Sequence, residues 1–345
     1  MELNISMDER MKFYNVSGLS IALIGNGQIS TAEGFGVLES GTNNRVSNHS
    51  IFHACSISKF ITSMLVLKLI ELGMLDLDED INNRLTSWKV PTNEFTLDKK
   101  VTLRTLLSHQ SGIIDPEGSF GEFDSTQGIP TMVELLEGKT AYCKEAIQVQ
   151  YEPGSDFQYS DAGFCIIQQL IEDASGRPFE VMVTEHIFRP LNMNNSTFVV
   201  QYISEVINDD FSCGHNKNGH VVDSKYPIYP FPAAAGLWST PSDLAILVVE
   251  LMNSLQGRSN LGLSQSKAKE FITSQGCKEW TGLGVFLDGA EQELKISSLG
   301  WGVGFQCMLV AYPYKGTGAV IMTNADLGVH QLQGIIGEIF NSLTL

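Results

Sequence analysis

Basic residues are scarce in this chain: 22 Lys and Arg stand against 39 Asp and Glu, a formal net charge of −17. No basic patch interrupts that excess, which disfavours nucleic acid and anionic membrane surfaces as partners and favours solubility. Long apolar runs are also missing. Lys68 and Glu71 break the best candidate before it nears the ~18 residues of a membrane span. The start, Met1-Glu2-Leu3-Asn4 with acidic residues soon after, lacks the basic-then-apolar order of a secretion signal, so the cytoplasm is the expected location. Cysteines are few and scattered: Cys55, Cys143, Cys165, Cys213, Cys277 and Cys307 form no Cys-x-x-Cys and no finger-type spacing to histidine. They read as reduced, mostly buried small hydrophobes. The seven histidines include no His-Glu-x-x-His or comparable pair, and neither a metal nor a cofactor is implied.

What is present suits a catalytic globule. A length of 345 residues with 43% hydrophobic content is enough for one large domain or two lobes. Gly25-Asn26-Gly27-Gln28 marks a tight turn between strand-like runs at 18–24 and 29–37. A helix is expected from Ser56 to about Gly73, a short one at 101–107 stopping at Ser111-Gly112, and amphipathic helices at 164–174 and 179–188. The glycine- and proline-containing segment 115–158 is the candidate loop region and lid. Thr240 and Pro241 make an N-cap and first helical position; strands are then expected at 282–287, 294–298, 304–311 and 318–323, and a last helix at about 329–343. Strands at both ends with helices between them imply an α+β architecture. Its α/β lobe is built from about 1–55 plus 236–345, and a mainly helical lobe, about 56–235, is inserted. A crevice between the two is the natural place for a site.

The chemistry centres on Ser56-Ile57-Ser58-Lys59. Residues three apart share a helix face, so the Lys59 amine comes within reach of the Ser56 hydroxyl and can take part in its deprotonation. A helix start also favours developing negative charge. Ser-x-x-Lys has only two fixed positions and recurs here as Ser264-Gln265-Ser266-Lys267, whose polar surroundings mark the exposed start of a surface helix. The first copy differs because Phe60, Ile61, Met64, Leu65, Leu67 and Leu69 make its helix apolar nearly all round. Such a helix is buried, and a lysine there needs a partner. Cys55, beside the serine, reads as a packing residue.

Taken with Leu106-Leu107-Ser108-His109-Gln110-Ser111-Gly112, Phe157-Gln158-Tyr159-Ser160-Asp161-Ala162-Gly163-Phe164, Ala234-Ala235-Gly236-Leu237-Trp238-Ser239-Thr240 and Gly300 with Gly304-Phe305, the chain resembles the serine β-lactamase and penicillin-binding-protein superfamily. The likeness is to the class C β-lactamase branch with its carboxypeptidase, esterase and amidase relatives. It implies an antiparallel sheet flanked by helices, with Ser56 as acylated nucleophile and Lys59 and Tyr159 as proton-transfer groups. It also implies an oxyanion hole from the backbone N–H of Ser56 and Trp301. His109 then has a structural part and no place in a triad. Two positions depart from the family pattern: Asp161 stands where an asparagine is usual, and Ser298-Leu299-Gly300 lacks the usual cation of the third motif. Lys315-Gly316-Thr317-Gly318 is a decoy in a turn. With Asp161, Ser298 and Gly300 as substrate contacts, the expectation is hydrolysis of neutral or cationic small-molecule or short-peptide esters and amides. A catalytically weak penicillin- or peptidoglycan-fragment sensor is the alternative, and the oligomeric state stays open.

Overall fold

Asn26 and Gly27 both take positive φ, 53° and 70°, the geometry that suits a two-residue hairpin. In the computed structural model, which describes residues 5–199, 210–343 and 345, they join β1 (Gly18–Gly25) to β2 (Gln28–Gly36). The remaining strands are β3 (Phe52–His53), β4 (Thr197–Phe198), β5 (Leu237–Ser239), β6 (Phe286–Asp288), β7 (Lys295–Gly302), β8 (Phe305–Tyr312) and β9 (Thr317–Thr323). One six-stranded sheet runs β2-β1-β9-β8-β7-β6 with every neighbouring pair antiparallel, and β3-β5-β4 form a small second sheet. The N- and C-terminal parts of the chain thus share one sheet, with most helices contributed by the residues between. Met1 to Asn4, which prompted the reading of the N-terminus, lie outside the described residues.

Side-chain alternation divides this sheet into two buried faces. Leu19, Ile21 and Leu23 of β1, Met308 and Val310 of β8, and Ala319 and Ile321 of β9 face the terminal helices Met7–Tyr14 and Ile335–Ser342. Their neighbours Ala22, Ile24, Cys307, Leu309, Val320 and Met322 belong to the larger core, shared with the helices Ser58–Glu71 and Pro241–Leu255. Period-2 strands with both faces apolar read as near-continuous hydrophobic runs.

Several expected boundaries move. The first helix, Met7–Tyr14, is short and mostly polar and was not anticipated. The expected strand at 282–287 is regular only over Phe286–Asp288. Gly284 has φ 75°, and a Cβ there would stand 1.9 Å from Ser63 Oγ, so the chain bends onto the Ser58–Glu71 helix instead of extending. The last helix begins at Ile335, because a 3-10 turn Gln331–Gln333 and the extended Gly334 precede it. The segment expected at 179–188 is α-helical over Phe179–Val183 and continues as a π-turn Thr184–Phe188. Ser264 caps the surface helix Gln265–Phe271 through its bond from Lys267 N, as the sequence suggested.

Candidate active site

Ser56 is the one residue between positions 51 and 67 that is not buried. It sits in a 3-10 turn, Cys55–Ile57, at the head of the Ser58–Glu71 helix. Three local bonds set the turn. Cys55 N donates to His53 Nδ1 at 3.0 Å, Ser58 Oγ donates to Cys55 O at 2.6 Å, and Leu237 N of β5 donates to Ser58 Oγ at 3.0 Å. Cys55 itself has φ 49°, a left-handed conformation that a β-carbon disfavours, immediately before the serine. Cys55 is buried, and burial pushes its thiol pKa well up, consistent with a packing residue.

Lys59 lies beneath Ser56 and is 2% exposed. Its ammonium donates to Ser56 Oγ at 3.0 Å and to Ala234 O at 2.9 Å, and it forms an ion pair with Asp161, whose Oδ1 lies 2.5 Å away. Burial acts to lower its pKa, but the Asp161 carboxylate and then the Tyr159 phenol outweigh it, and the net shift is upward. The Tyr159 ring lies with its centroid 4.9 Å from Lys59 Nζ. Ala234 comes from the Pro232–Ala235 turn, and Thr62 Oγ1 holds the same turn through Ala233 O at 2.8 Å.

Tyr159 and Asp161 are placed by the start of the Asp161–Ser175 helix. Ser160 is its N-cap, accepting from Gly163 N at 3.0 Å. Asp115 accepts from Ser160 Oγ at 2.7 Å, Asp161 N at 2.8 Å and Ala162 N at 3.0 Å. Burial and the neighbouring Asp161 charge raise the Asp115 pKa, against the pull of those donors. His109 stacks on Tyr159 with centroids 4.3 Å apart, and its Nδ1 accepts from Ser160 N at 3.2 Å. Burial, reinforced by the Lys59 charge, pushes its pKa down to about 3, so the ring is a neutral platform for the tyrosine. That is the structural part expected of it.

Strand β7 closes the other side. Gly300 pairs with Cys307 of β8, and a Cβ at Gly300 would stand 2.3 Å from Cys307 Sγ and 2.4 Å from Ala54 O. Only glycine lets the strand lie directly against the turn that carries Ser56. Gly300 O accepts from Gln331 Nε2 at 2.8 Å, and the exposed Trp301 indole donates to Asp326 at 2.8 Å. Gly300→Ala is therefore expected to push β7 off the turn that carries Ser56 and to lower kcat by about 10²-fold or more, as a displacement near 1 Å does. Steady-state kinetics of the variant checks this, and a change under threefold would contradict it.

A cleft opens over Ser56, lined also by Lys59, Tyr159, Ser298, Leu107, Val285 and Phe286 among others. Ser298 is buried in its wall, whereas Asp161 and Gly300 act from behind it: Asp161 through Lys59, Gly300 through the strand contact. None of the described residues of 115–158 lines the cleft, and Thr281, Gly282, Gly284, Val285 and Phe286 form part of its wall. Among the described residues Lys59 is the one Lys or Arg that lines the cleft. The decoy Lys315 lies in the β8–β9 turn, at the end of β8 away from Gly300, and pairs with Glu293. Among the described residues no group of three or more His, Cys, Asp or Glu is gathered as a metal site requires. No helix among them is long and apolar enough to cross a membrane. Asp115, Ser58 and the Ala234 carbonyl were not singled out from the sequence. Asp115 acts across a separation of 45 to 47 residues, which leaves no local signal.

A serine–lysine pair under the edge of an antiparallel sheet, with helices on both sheet faces, defines a β-lactamase/transpeptidase-like fold. The chain belongs to the Beta-lactamase family, whose model matches residues 6–335. It is 25% identical over 298 residues to Beta-lactamase-like protein 4 of Dictyostelium discoideum, covering 79% of this chain and 49% of that protein. It is 22% identical over 228 residues to Protein flp of Staphylococcus aureus (strain MW2), covering 66% of this chain and 42% of that protein. The chain thus spans just under half the length of these curated relatives. Among solved structures it is similar to the octameric penicillin-binding protein homologue from Pyrococcus abyssi, with a TM-score of 0.75 and 25% identity over 92% of this chain and 72% of the other.

Proposed function

We propose that this chain is a serine hydrolase that forms an acyl-enzyme on Ser56 and acts on neutral or cationic esters or amides. The observation that carries the reading is the hydrogen bond of 3.0 Å from buried Lys59 to the one exposed hydroxyl of the turn. Membership of the Beta-lactamase family supports it. In acylation the Ser56 Oγ–acyl carbon bond forms and the carbon–leaving-group bond breaks. Lys59, paired with Asp161, holds Oγ as an ammonium, and Tyr159 beside it relays the serine proton to the leaving group. Water then attacks the acyl carbon, gives its proton to Tyr159, and Ser56 recovers a proton as the acid departs. The backbone N–H groups of Ser56 and Trp301 are the proposed oxyanion donors; one such donor contributes about 2.7–4 kcal/mol in a studied enzyme.

The neutral preference rests on the cleft lining, which among the described residues offers no cation other than Lys59, itself paired with Asp161. A missing hydrogen bond to a charged group is worth about 1.5–3 kcal/mol, or about 10- to 150-fold against a carboxylate substrate. Hydrolysis of a neutral acyl ester beside a cephalosporin tests this: the ester is expected to turn over faster, and turnover of the cephalosporin alone would contradict it. One observation favours the sensor reading: a lysine paired with the Asp161 carboxylate is a poor proton acceptor. Labelling by a fluorophosphonate separates the two, since a binder without an activated serine stays unlabelled.

A further inference from the structure

Residues 158–162 carry Tyr159 and Asp161 into the site, and hydrogen bonds to the segment 109–115 hold them there. Gln158 N donates to His109 O at 2.9 Å and Ser160 N to His109 Nδ1 at 3.2 Å. Asp115 takes the rest: Ser160 Oγ at 2.7 Å and Ala162 N at 3.0 Å donate to its Oδ1, and Asp161 N donates to its Oδ2 at 2.8 Å. Both carboxylate oxygens are thus engaged, and bonds to an ionised acceptor are roughly twice as strong as neutral ones. Asp161 is gripped twice, by Asp115 at its backbone and by Lys59 at its side chain, 2.5 Å away. Capping this helix does not by itself call for a charge, since Ser160 Oγ already accepts from Gly163 N as a neutral hydroxyl can. Burial and the neighbouring Asp161 charge both oppose ionisation of Asp115. A carboxylate kept against that opposition, with three donors aimed at it, fixes the segment more tightly than a cap requires.

We infer that Asp115 is a positioning residue for the reaction at Ser56: its carboxylate fixes residues 160–162, and through them the pairing of Asp161 with Lys59 and the place of Tyr159 in the cleft wall. The inference rests on the serine-hydrolase reading and names a residue that reading does not use. Asp115 does not line the cleft, so it acts through the residues it holds. A misplacement near 1 Å costs about 10²-fold in rate. The amide of an asparagine cannot keep all three bonds. With its oxygen at the place of Oδ1 it retains Ser160 Oγ and Ala162 N, and its NH2 group meets the Asp161 N–H donor to donor. Turned over, it retains Asp161 N and sets the NH2 group against the Ala162 N–H.

Steady-state kinetics with p-nitrophenyl phenylacetate, beside the rate of Ser56 labelling by a fluorophosphonate, tests this. Asp115→Asn is expected to lower kcat by about 10- to 100-fold while KM stays within about threefold, because Tyr159 serves both acylation and deacylation and the two steps slow together. The labelling rate, which reads acylation alone, is expected to fall in the same proportion. Asp115→Glu keeps the charge but carries its oxygens one methylene further, and is the second variant should the first fold poorly. It is expected to lower kcat by about 10-fold or more, again with KM within about threefold. A helix cap alone would lower thermal stability and leave kcat and labelling of the folded protein unchanged. That result, a loss carried by KM, or failure of both variants to fold would overturn the inference and leave the hydrolase reading standing. No turnover by the native protein together with no label on Ser56 would overturn the hydrolase reading, and the inference with it.

Discussion

Ser56→Ala is expected to lower turnover of any ester the protein cleaves by roughly 10⁴- to 10⁶-fold, the range seen when a nucleophile is removed from a machinery that works as a unit. Folding stability should change by less than about 1 kcal/mol, the usual size of a surface substitution. The reason for the contrast is local. Ser56 stands at the floor of an open cleft, and among the described residues its side chain bonds only to Lys59, at 3.0 Å, whereas the turn is held by His53, Ser58 and Leu237. Water in the cleft replaces the lost oxygen. Saturation kinetics beside thermal unfolding checks both halves. Retention of more than about 1% of kcat would show that the hydroxyl is not the nucleophile.

The second large effect concerns Asp161. Asp161→Ala is expected to cost about 3 kcal/mol of stability at pH 7. That is the low end of the about 3–5 kcal/mol found when one member of a buried pair is removed, since the Asp161 side chain is 24% exposed and water relieves part of the loss. Asp161→Asn, which keeps an acceptor for Lys59, should recover part of it. The dependence on pH has a definite sign. The Lys59 pKa is raised in the folded chain, so the folded state holds the proton more tightly than an unfolded lysine of pKa about 10.4. The contribution of the pair is complete below that value and is lost as pH rises through the folded pKa above it. Denaturant unfolding of native and Asp161→Ala chains should therefore differ most toward pH 6 and less toward pH 9, because the buried lysine left without its carboxylate sheds its proton more readily and the variant gains stability as pH rises. A difference that grows from pH 6 to 9 would contradict the ion pair as described.

How much of this was legible beforehand depends on how local each interaction is. Ser56 and Lys59 could be read because their pairing is set by a three-residue spacing on one helix, and the hairpin at Asn26-Gly27 because a two-residue turn carries its own chemistry. Tyr159 required its flanking sequence, since a lone tyrosine has no periodicity to betray it. Asp115 is different: it caps the Asp161–Ser175 helix across a long stretch of chain, and its role exists only once the fold has brought them together. The same holds for the apolar wall of the cleft. Val285 and Phe286 looked like part of a regular strand, and it was the contact of Gly284 with Ser63 that turned them toward the site. The departure at Asp161 was visible as a letter. That it pairs with a buried Lys59 which also donates to Ala234 O depended on the fold, the latter on the approach of the Pro232–Ala235 turn.

The central claim is a covalent intermediate on one oxygen. Intact-protein mass spectrometry after brief mixing with p-nitrophenyl phenylacetate, with peptide mapping of any adduct, tests it most directly. The account predicts a mass increase equal to the acyl group, mapped to Ser56 and absent from Ser56→Ala. An adduct on another residue, or ester cleavage by the native protein that Ser56→Ala retains in full, would contradict it.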